Sequence, residues 1–509
     1  MKNLRRQATD ALKWSYLSFF VNLALQPLFV AILARLLSPA EFGLAAIGSV
    51  LANFGAMLTE LGVSQALVQR RDLTTDHIRA GFTSSVVIGL LVTSLAWLLA
   101  PAVGASMGNP EVVPVFRGFA ATYVVASLAM VSVSLLRREL RFKPLMVAEV
   151  AGYVLGHGVF GLGAAALGFG AMSLVVSTAA SCTIQLIVTY AYARHPFAFT
   201  MRGAAYRDLY AFGLRASFIR ILEFLSNNLD TYLLARLYNV TAVGLYNRAS
   251  NLVGSSVARL ASSLFRVLVP SFSALQHDLP KLRRAYALGL GALSVVLFSL
   301  GGGLFACARE IVLVLLGERY LAAVPLAQVF ALLVPFTVLT TLAGGLAEAT
   351  ARLNIKMVLQ AGYLVALGLG LWAVYRLGGD VVAFSLVLLG AGVARAAASS
   401  VMAARILGGG LGDTVRGYAG GALCGLIMVA ALLLVVSPLR ALGLSAFVLF
   451  AVELALGGLL FAAAVLFGPS HELREQGRRL LRSVLRRWSQ ARRPAPALPA
   501  SDEPTQGAD

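Results

Sequence analysis

Charge is what this chain has little of. Only 13% of its 509 residues are Asp, Glu, Lys or Arg, about half the share of an ordinary soluble protein. Histidine and cysteine are also sparse, at five and three residues. Cys182, Cys307 and Cys424 lie within or at the ends of apolar segments, with no metal-ligand spacing and no evident pairing, so packing is their expected role. No glycine-rich phosphate loop follows a strand-like run, which argues against an attached ATPase. Long loops are missing too. The longest are near 15 residues, and none carries the paired carboxylates a membrane glycosyltransferase or polymerase needs.

What is abundant is apolar sequence: 59% of residues are hydrophobic, and the mean hydropathy is +0.81. The apolar residues come in blocks of about 20, the length that crosses a ~30 Å hydrocarbon layer as a helix. Barrel strands are about half that length and alternate every second residue, so a β-barrel is excluded. The expected fold class is an all-α polytopic membrane protein of about 14 transmembrane helices. The spans are placed at 15–36, 42–66, 80–101, 113–136, 145–166, 171–193, 209–235, 243–269, 285–307, 325–349, 357–376, 381–404, 415–436 and 441–467.

The formal net charge of +19 does not point to nucleic acid, because of where it sits. With a cytoplasmic N-terminus, cytoplasmic segments hold 29 Lys and Arg against 7 outside. That bias places both termini in the cytoplasm. Met1 to Lys13 resembles a signal-peptide n-region, but the apolar stretch after it is too long and lacks a cleavage site. It is read as the uncleaved first span.

An internal repeat divides the chain. Leu33–Leu44 and Leu234–Leu245 align without gaps at an offset of 201, with 6 of 12 positions identical. Each segment ends one span, turns outside and starts the next, at spans one and seven. An even number of spans separates them, so the repeats are parallel, related by an axis along the membrane normal. The expected layout is a six-helix lobe (1–195), a cytoplasmic linker (196–208), a second six-helix lobe (209–405) and two further spans (406–468). A basic amphipathic helix (469–493) on the anionic inner leaflet and a disordered Pro/Ala-rich tail (494–509) follow. Arg309 to Tyr320 is too short to cross and reads as an interfacial or re-entrant helix.

Charges within the spans form stripes. Arg248, Arg259 and Arg266 follow at steps of 11 and 7 in span eight, which at 100° per residue puts all three on one face. Span seven carries Arg220, Glu223, Asn227 and Asp230 on one face, with Arg215 lower. Span two carries Ser49, Asn53 and Glu60. Span one carries Asn22 and Gln26 before Pro27, and span five Glu149, Tyr153 and His157. Arg117, Glu348, Arg395 and Glu453 stand alone. A charge at mid-bilayer costs roughly 2.5–3.5 kcal/mol on insertion scales, so such residues face protein or a wet cavity. Arg220 and Glu223 can form an internal salt bridge, but three arginines on one face cannot neutralise each other. The stripes point to a polar cavity lined by spans one, two, seven and eight. His157 is expected to be a satisfied buried histidine.

Several segments carry a family resemblance. Ser226-Asn227-Asn228-Leu229-Asp230, then Leu233-Leu234-Ala235-Arg236, then Val243-Gly244-Leu245-Tyr246-Asn247-Arg248-Ala249 resemble the central signature of bacterial polysaccharide flippases. Leu36 to Gly43 resembles that family's first external turn, Leu61 to Gln69 its second-span exit, and Leu315 to Tyr320 its external segment after span nine. Together they cover most of residues 1–350 and match the O-antigen and exopolysaccharide exporters (Wzx-type) of the multidrug/oligosaccharidyl-lipid/polysaccharide (MOP) superfamily. The resemblance is weak beyond residue 360.

It implies a MATE-like bundle of two lobes plus two helices, working by alternating access in the bacterial inner membrane, and no enzyme activity. The cargo would be an undecaprenyl-diphosphate-linked oligosaccharide for lipopolysaccharide or exopolysaccharide synthesis. Partners would be the bilayer, a polysaccharide polymerase and pathway glycosyltransferases. On the stripes, Arg248, Arg259, Arg266, Arg215 and Arg220 are the expected diphosphate ligands, because guanidinium donates bidentately to phosphate. Gln26, Asn53, Asn227 and Asn228 would contact sugar hydroxyls. Glu60, Glu223 and Asp230 are candidates for ion or proton coupling. No cofactor or metal is expected; H+ or Na+ as coupling ion and the membrane potential both stay open as drives. The rival is a multidrug antiporter of the same superfamily, which would want an acidic, aromatic-lined cavity.

Overall fold

The computed structural model describes residues 25–59, 63–70, 72–200, 224–350 and 352–467, together with positions 14, 21, 203 and 206. The described residues are helical and contain no strand. In chain order we label the helices α1 (Leu25–Leu36), α2 (Pro39–Thr59), α3 (Val63–Gln69), α4 (Thr75–Ser106), α5 (Val112–Arg138), α6 (Phe142–Ala166), α7 (Met172–Tyr192) and α8 (224–237). There follow α9 (Val240–Leu275), α10 (Leu279–Ala306), α11 (Ala308–Leu315), α12 (Glu318–Ala349), α13 (Leu353–Arg376), α14 (Val381–Leu407), α15 (Gly412–Ala441) and α16 (Ala446–Phe467).

Eleven of these, among the described residues, are long and apolar enough to cross a membrane. These eleven fall on eleven of the fourteen expected spans; spans one, seven and eight lie outside that count. Helices α1 and α8 are described only in part, and α9 is 36 residues long yet carries the Asn, Ser and Arg stripe. Observed helices often run past the expected ends: α10 begins at Leu279 rather than 285, and α15 ends at Ala441 rather than 436. Capping explains part of this, since a cap lies in the polar sequence beyond the apolar window. Asp278 accepts from the Lys281 N–H at 3.2 Å and so starts α10 early. The basic helix expected at 469–493 and the tail beyond it lie outside the described residues.

The repeated turn folds the same way twice. Ser38 and Glu41 form a reciprocal cap on α2: the Ser38 N–H and Oγ donate to Glu41 Oε2 at 2.7 and 2.9 Å, and the Glu41 N–H donates back to Ser38 Oγ. At the matching position, Asn239 Oδ1 accepts from the Ala242 N–H at 2.8 Å to start α9. The two capped helices then cross at their matching glycines. A Cβ on Gly43 would lie 1.9 Å from the Val240 carbonyl oxygen, and one on Gly244 would lie 1.7 Å from that of Pro39. Position 39 corresponds to 240 and 43 to 244 at the offset of 201, so the contact is reciprocal. The repeat is therefore the seam at which α2 and α9 pack backbone to backbone.

Around this seam, α2 packs on α5, α5 on α4 and α7, and α7 on α6. On the other side α9 packs on α12, and α12 on α10 and α14. Helix α6 widens to π geometry over Gly152–Gly161, a form often found at functional sites. Helices α15 and α16 attach through α10 and α11.

That attachment is polar as well as apolar. Arg440 of α15 donates from Nε and Nη2 to Glu310 of α11 at 2.7 and 2.6 Å, and its Nη2 lies 3.5 Å from Glu453 of α16. Both carboxylates are buried. Glu453, which stands alone in the sequence, thus belongs to a three-residue knot. The segment expected to be an interfacial or re-entrant helix buries one side in protein, through Glu310, Val312, Leu316 and Tyr320, while Arg309, Glu318 and Arg319 are exposed. The Tyr320 hydroxyl donates to the Leu37 carbonyl at 3.0 Å, which ties α12 to the first turn.

Candidate functional site: a cavity with a half-buried arginine

The motifs that carry the family resemblance meet in space. Tyr320 lies edge-on to Phe42 with ring centroids 6.2 Å apart, and the guanidinium of Arg248 sits over that same ring at 4.3 Å. The first external turn, the start of α12 and the Tyr-x-Arg of α9 therefore form one cluster.

Arg248 is the chemical centre of this cluster. Its Nη2 donates to Asn247 Oδ1 at 2.8 Å, while its Nε is buried and makes no hydrogen bond. Among the described residues it forms no ion pair. A half-buried guanidinium without a carboxylate partner among the described residues is poorly compensated, and its free donors can take an anion. It lines a cavity of about 460 Å³ whose polar wall also includes Gln26, Asn251, Tyr153 and His157. The opposite wall is apolar and includes Leu304, Ile311, Leu315, Phe450 and Leu454 from α10, α11 and α16. Among the described residues no carboxylate contributes to the lining.

His157 is held from both sides. Its ring stacks on Tyr153 at 4.4 Å, and Nδ1 lies 3.2 Å from Ser181 Oγ. The expected satisfied histidine is found, but on a cavity wall. Its position there depends on the neighbouring helix as much as on its own period.

The remaining expected site residues divide. Gln26 joins Arg248. Asn227 does not: it lines a second cavity with Glu348, Lys356, Gln360 and Arg395. Asn228 turns back on its own helix, Nδ2 donating to the Phe224 carbonyl at 2.9 Å. Asn53 is exposed on α2. Asp230 lines neither cavity and accepts a short hydrogen bond from the buried Tyr246 hydroxyl. Arg259 and Arg266 lie on α9, but their side chains lie outside the described residues, as do Arg215, Arg220, Glu60 and Glu223 altogether. The lining of spans one, two, seven and eight is thus revised for the Arg248 cavity. Among the described residues, spans one, two and eight contribute, and α6, α7, α10, α11 and α16 join them.

Sequence reasoning missed two groupings. Glu348 and Arg395 stand alone in the sequence, yet Lys356 Nζ lies 2.7 Å from Glu348, and Arg395 Nη2 donates to Gln360 Oε1 at 2.7 Å. The partners are 8 and 35 residues apart. Both charges had been singled out, but their partners lie across helix–helix contacts that no single-helix period reveals. The second is the knot around Arg440.

The described residues form a bundle without strands and with eleven membrane-length helices, which defines a multi-pass membrane protein. The bundle has the fold of MOP-superfamily transporters. It superimposes on a lipid II flippase MurJ in an inward closed conformation with a TM-score of 0.66, at 13% identity, covering 88% of this chain and 97% of that one. An inward-facing multidrug resistance MATE transporter of the MOP superfamily follows at a TM-score of 0.57 and 15% identity, covering 80% and 95%. Within that class the chain belongs to the polysaccharide biosynthesis protein family, whose model matches residues 32–325. It is 25% identical over 382 residues to the teichuronic acid biosynthesis protein TuaB of Bacillus subtilis (strain 168), covering 74% of this chain and 78% of the relative. The expected family resemblance is therefore borne out as membership of the polysaccharide biosynthesis protein family.

Proposed function

We propose that this chain flips an undecaprenyl-diphosphate-linked oligosaccharide, an O-antigen or exopolysaccharide repeat unit, from the inner to the outer leaflet of the bacterial cytoplasmic membrane. The observation that carries this reading is Arg248: a half-buried guanidinium with no ion pair among the described residues, on the wall of a cavity whose described lining holds no carboxylate. Carrying a bare diphosphate through hydrocarbon is prohibitive. A cavity that supplies fixed positive charge lowers that barrier. Arg259 and Arg266, on the same face of α9, would extend the cation track, with Arg215 and Arg220 from span seven beside it. Gln26 would meet sugar hydroxyls beside Arg248, and Asn227 would meet them in the second cavity. The lipid tail stays in the bilayer and passes between the halves.

The layout that goes with this function is fourteen spans, both termini cytoplasmic, as two six-helix lobes (1–195 and 209–405) joined by a linker, followed by two further helices. The reciprocal glycine crossing supports that division. Alternating access would separate the lobes at this seam. Glu60, Glu223 and Asp230 are the coupling candidates for H+ or Na+, with membrane potential as the other drive. Asp230 would act through Tyr246 rather than by facing cargo. A polymerase and glycosyltransferases would supply and consume the cargo. The chain itself carries out no covalent chemistry. A cationic-drug antiporter fits less well, since the lining has an arginine where such cargo needs acidic groups.

The test is flipping of the lipid-linked oligosaccharide in proteoliposomes. Arg248→Ala is expected to lower the rate at least tenfold, and Arg248→Lys less, since an ammonium keeps the charge but not the bidentate fork. A folded Arg248→Ala, Arg259→Ala, Arg266→Ala triple variant with wild-type flipping overturns the diphosphate role.

A further inference from the structure

The second cavity, about 390 Å³ in volume, has a different chemistry. It lies between α8, α9, α12, α13 and α14 and does not share a lining residue with the Arg248 cavity. Its α12 wall is a patch of threonines. Thr337 Oγ1 donates to the Leu333 carbonyl at 3.2 Å, and Thr341 Oγ1 donates to the Thr337 carbonyl at 3.1 Å. Each hydroxyl proton is thereby used on the helix, and each oxygen is left as an acceptor. Thr340 Oγ1, between them, is buried and makes no hydrogen bond. A buried hydroxyl without a partner destabilises the fold, so its retention on a cavity wall points to a partner that comes and goes.

The same cavity is also lined by side chains of both hydrogen-bonding kinds. Gln360 holds Arg395 through Oε1, and the Arg395 guanidinium lies over Tyr363 at 4.5 Å, which fixes its plane. Glu348 and Lys356 pair at the rim, and Asn227 closes the α8 side. Such a wall offers donors and acceptors in alternation. An acyl chain would leave these groups unpaired, and a cationic drug would meet two cations against one carboxylate. A polyhydroxylated ring satisfies both kinds of group, because each sugar hydroxyl donates and accepts at once.

We propose that this cavity is a carbohydrate subsite, which takes glycosyl residues of the cargo while the diphosphate is held elsewhere. This rests on the flippase reading above and deepens it. Thr340 gives the buried hydroxyl that a sugar completes. The acceptor oxygens of Thr337 and Thr341 take sugar protons, and Arg395 donates from a fixed plane.

The experiment compares two cargoes in proteoliposomes: a polyprenyl diphosphate bearing an oligosaccharide, and the same polyprenyl diphosphate without sugar. Thr340→Val replaces only a hydroxyl that has no protein partner, so the fold is kept. It is expected to slow the glycosylated cargo about three- to tenfold, one hydrogen bond's worth, and leave the bare diphosphate unchanged. Gly344→Leu fills the cavity; a Cβ there meets only the Lys356 side chain, at 3.6 Å. It is expected to slow the glycosylated cargo more than tenfold, again sparing the bare lipid, with thermal unfolding confirming the fold. Equal losses for both cargoes, or no change in either variant, overturn the subsite. Wild-type protein that moves neither cargo overturns the flippase reading itself, and the subsite with it.

Discussion

Substituting Gly244 by alanine tests the seam between α2 and α9. The added Cβ would lie 1.7 Å from the Pro39 carbonyl oxygen, whereas real Cβ atoms come no nearer than 3.0 Å. The obstacle is backbone, so no side chain can swing away, and the helices must part by about 1.3 Å. Overpacking of this kind costs about 1–3 kcal/mol, and parting also forfeits close Cα–H···O contacts worth about 0.5–1 kcal/mol each. We expect Gly244→Ala to destabilise the protein by about 2–4 kcal/mol, read as a lowered denaturation midpoint in detergent. Gly43→Ala, at 1.9 Å from the Val240 oxygen, should cost nearly as much. One separation of the helices relieves both clashes, so the double variant should cost clearly less than the two singles together. Neutral single variants, or strictly additive ones, would refute the backbone-to-backbone seam.

Other outcomes follow from the same structure. Arg440→Leu leaves Glu310 and Glu453 buried without their cation. It should cost about 2–4 kcal/mol, toward the low end for a partly exposed arginine, and loosen α15 and α16 before the rest, as read by protease protection. Replacing all three by Arg440→Leu, Glu310→Leu and Glu453→Leu should recover most of that loss. Tyr246→Phe removes the donor to Asp230 and should destabilise by about 1–3 kcal/mol; Tyr246→Phe with Asp230→Asn should be milder in a denaturant titration. At the end of α7, burial beside Phe82 and Phe197 holds the His195 imidazole below its ordinary value, partly offset by its contact with the Pro196 carbonyl. The unfolded chain then takes up this proton first. Stability should therefore be full above about pH 6.5 and fall as pH drops toward the folded value. His195→Phe should flatten that slope in thermal scans.

Much of the fold was legible because helical period and block length are local properties. The apolar blocks fall on helices, and the 201-residue repeat marks the place where α2 meets α9. The seam needed two positions with no side chain, and Gly43 and Gly244 are visible as a matched pair. The site was legible only in part. The α9 stripe pointed to Arg248, and Gln26 and Arg248 do line one cavity. Period states which face a residue shares, however, not which neighbour that face meets. Asn227 and Asp230 share a face of α8, yet one lines a cavity and the other bonds Tyr246. Glu310, Arg440 and Glu453 lie far apart in sequence and come together only through the packing of α11, α15 and α16. The same holds for Gln360 and Arg395. Pairing across helices is tertiary information, and a single sequence carries little of it.

The central claim is that this chain moves a lipid-linked oligosaccharide across the bilayer. The most direct measurement places purified protein in vesicles with undecaprenyl-diphosphate oligosaccharide in one leaflet and a sugar-binding lectin or glycosidase on the opposite side. The account predicts protein-dependent access of the sugar to that reagent, slowed by Arg248→Ala. No protein-dependent access, in vesicles where the same protein drives efflux of a cationic dye, would contradict it.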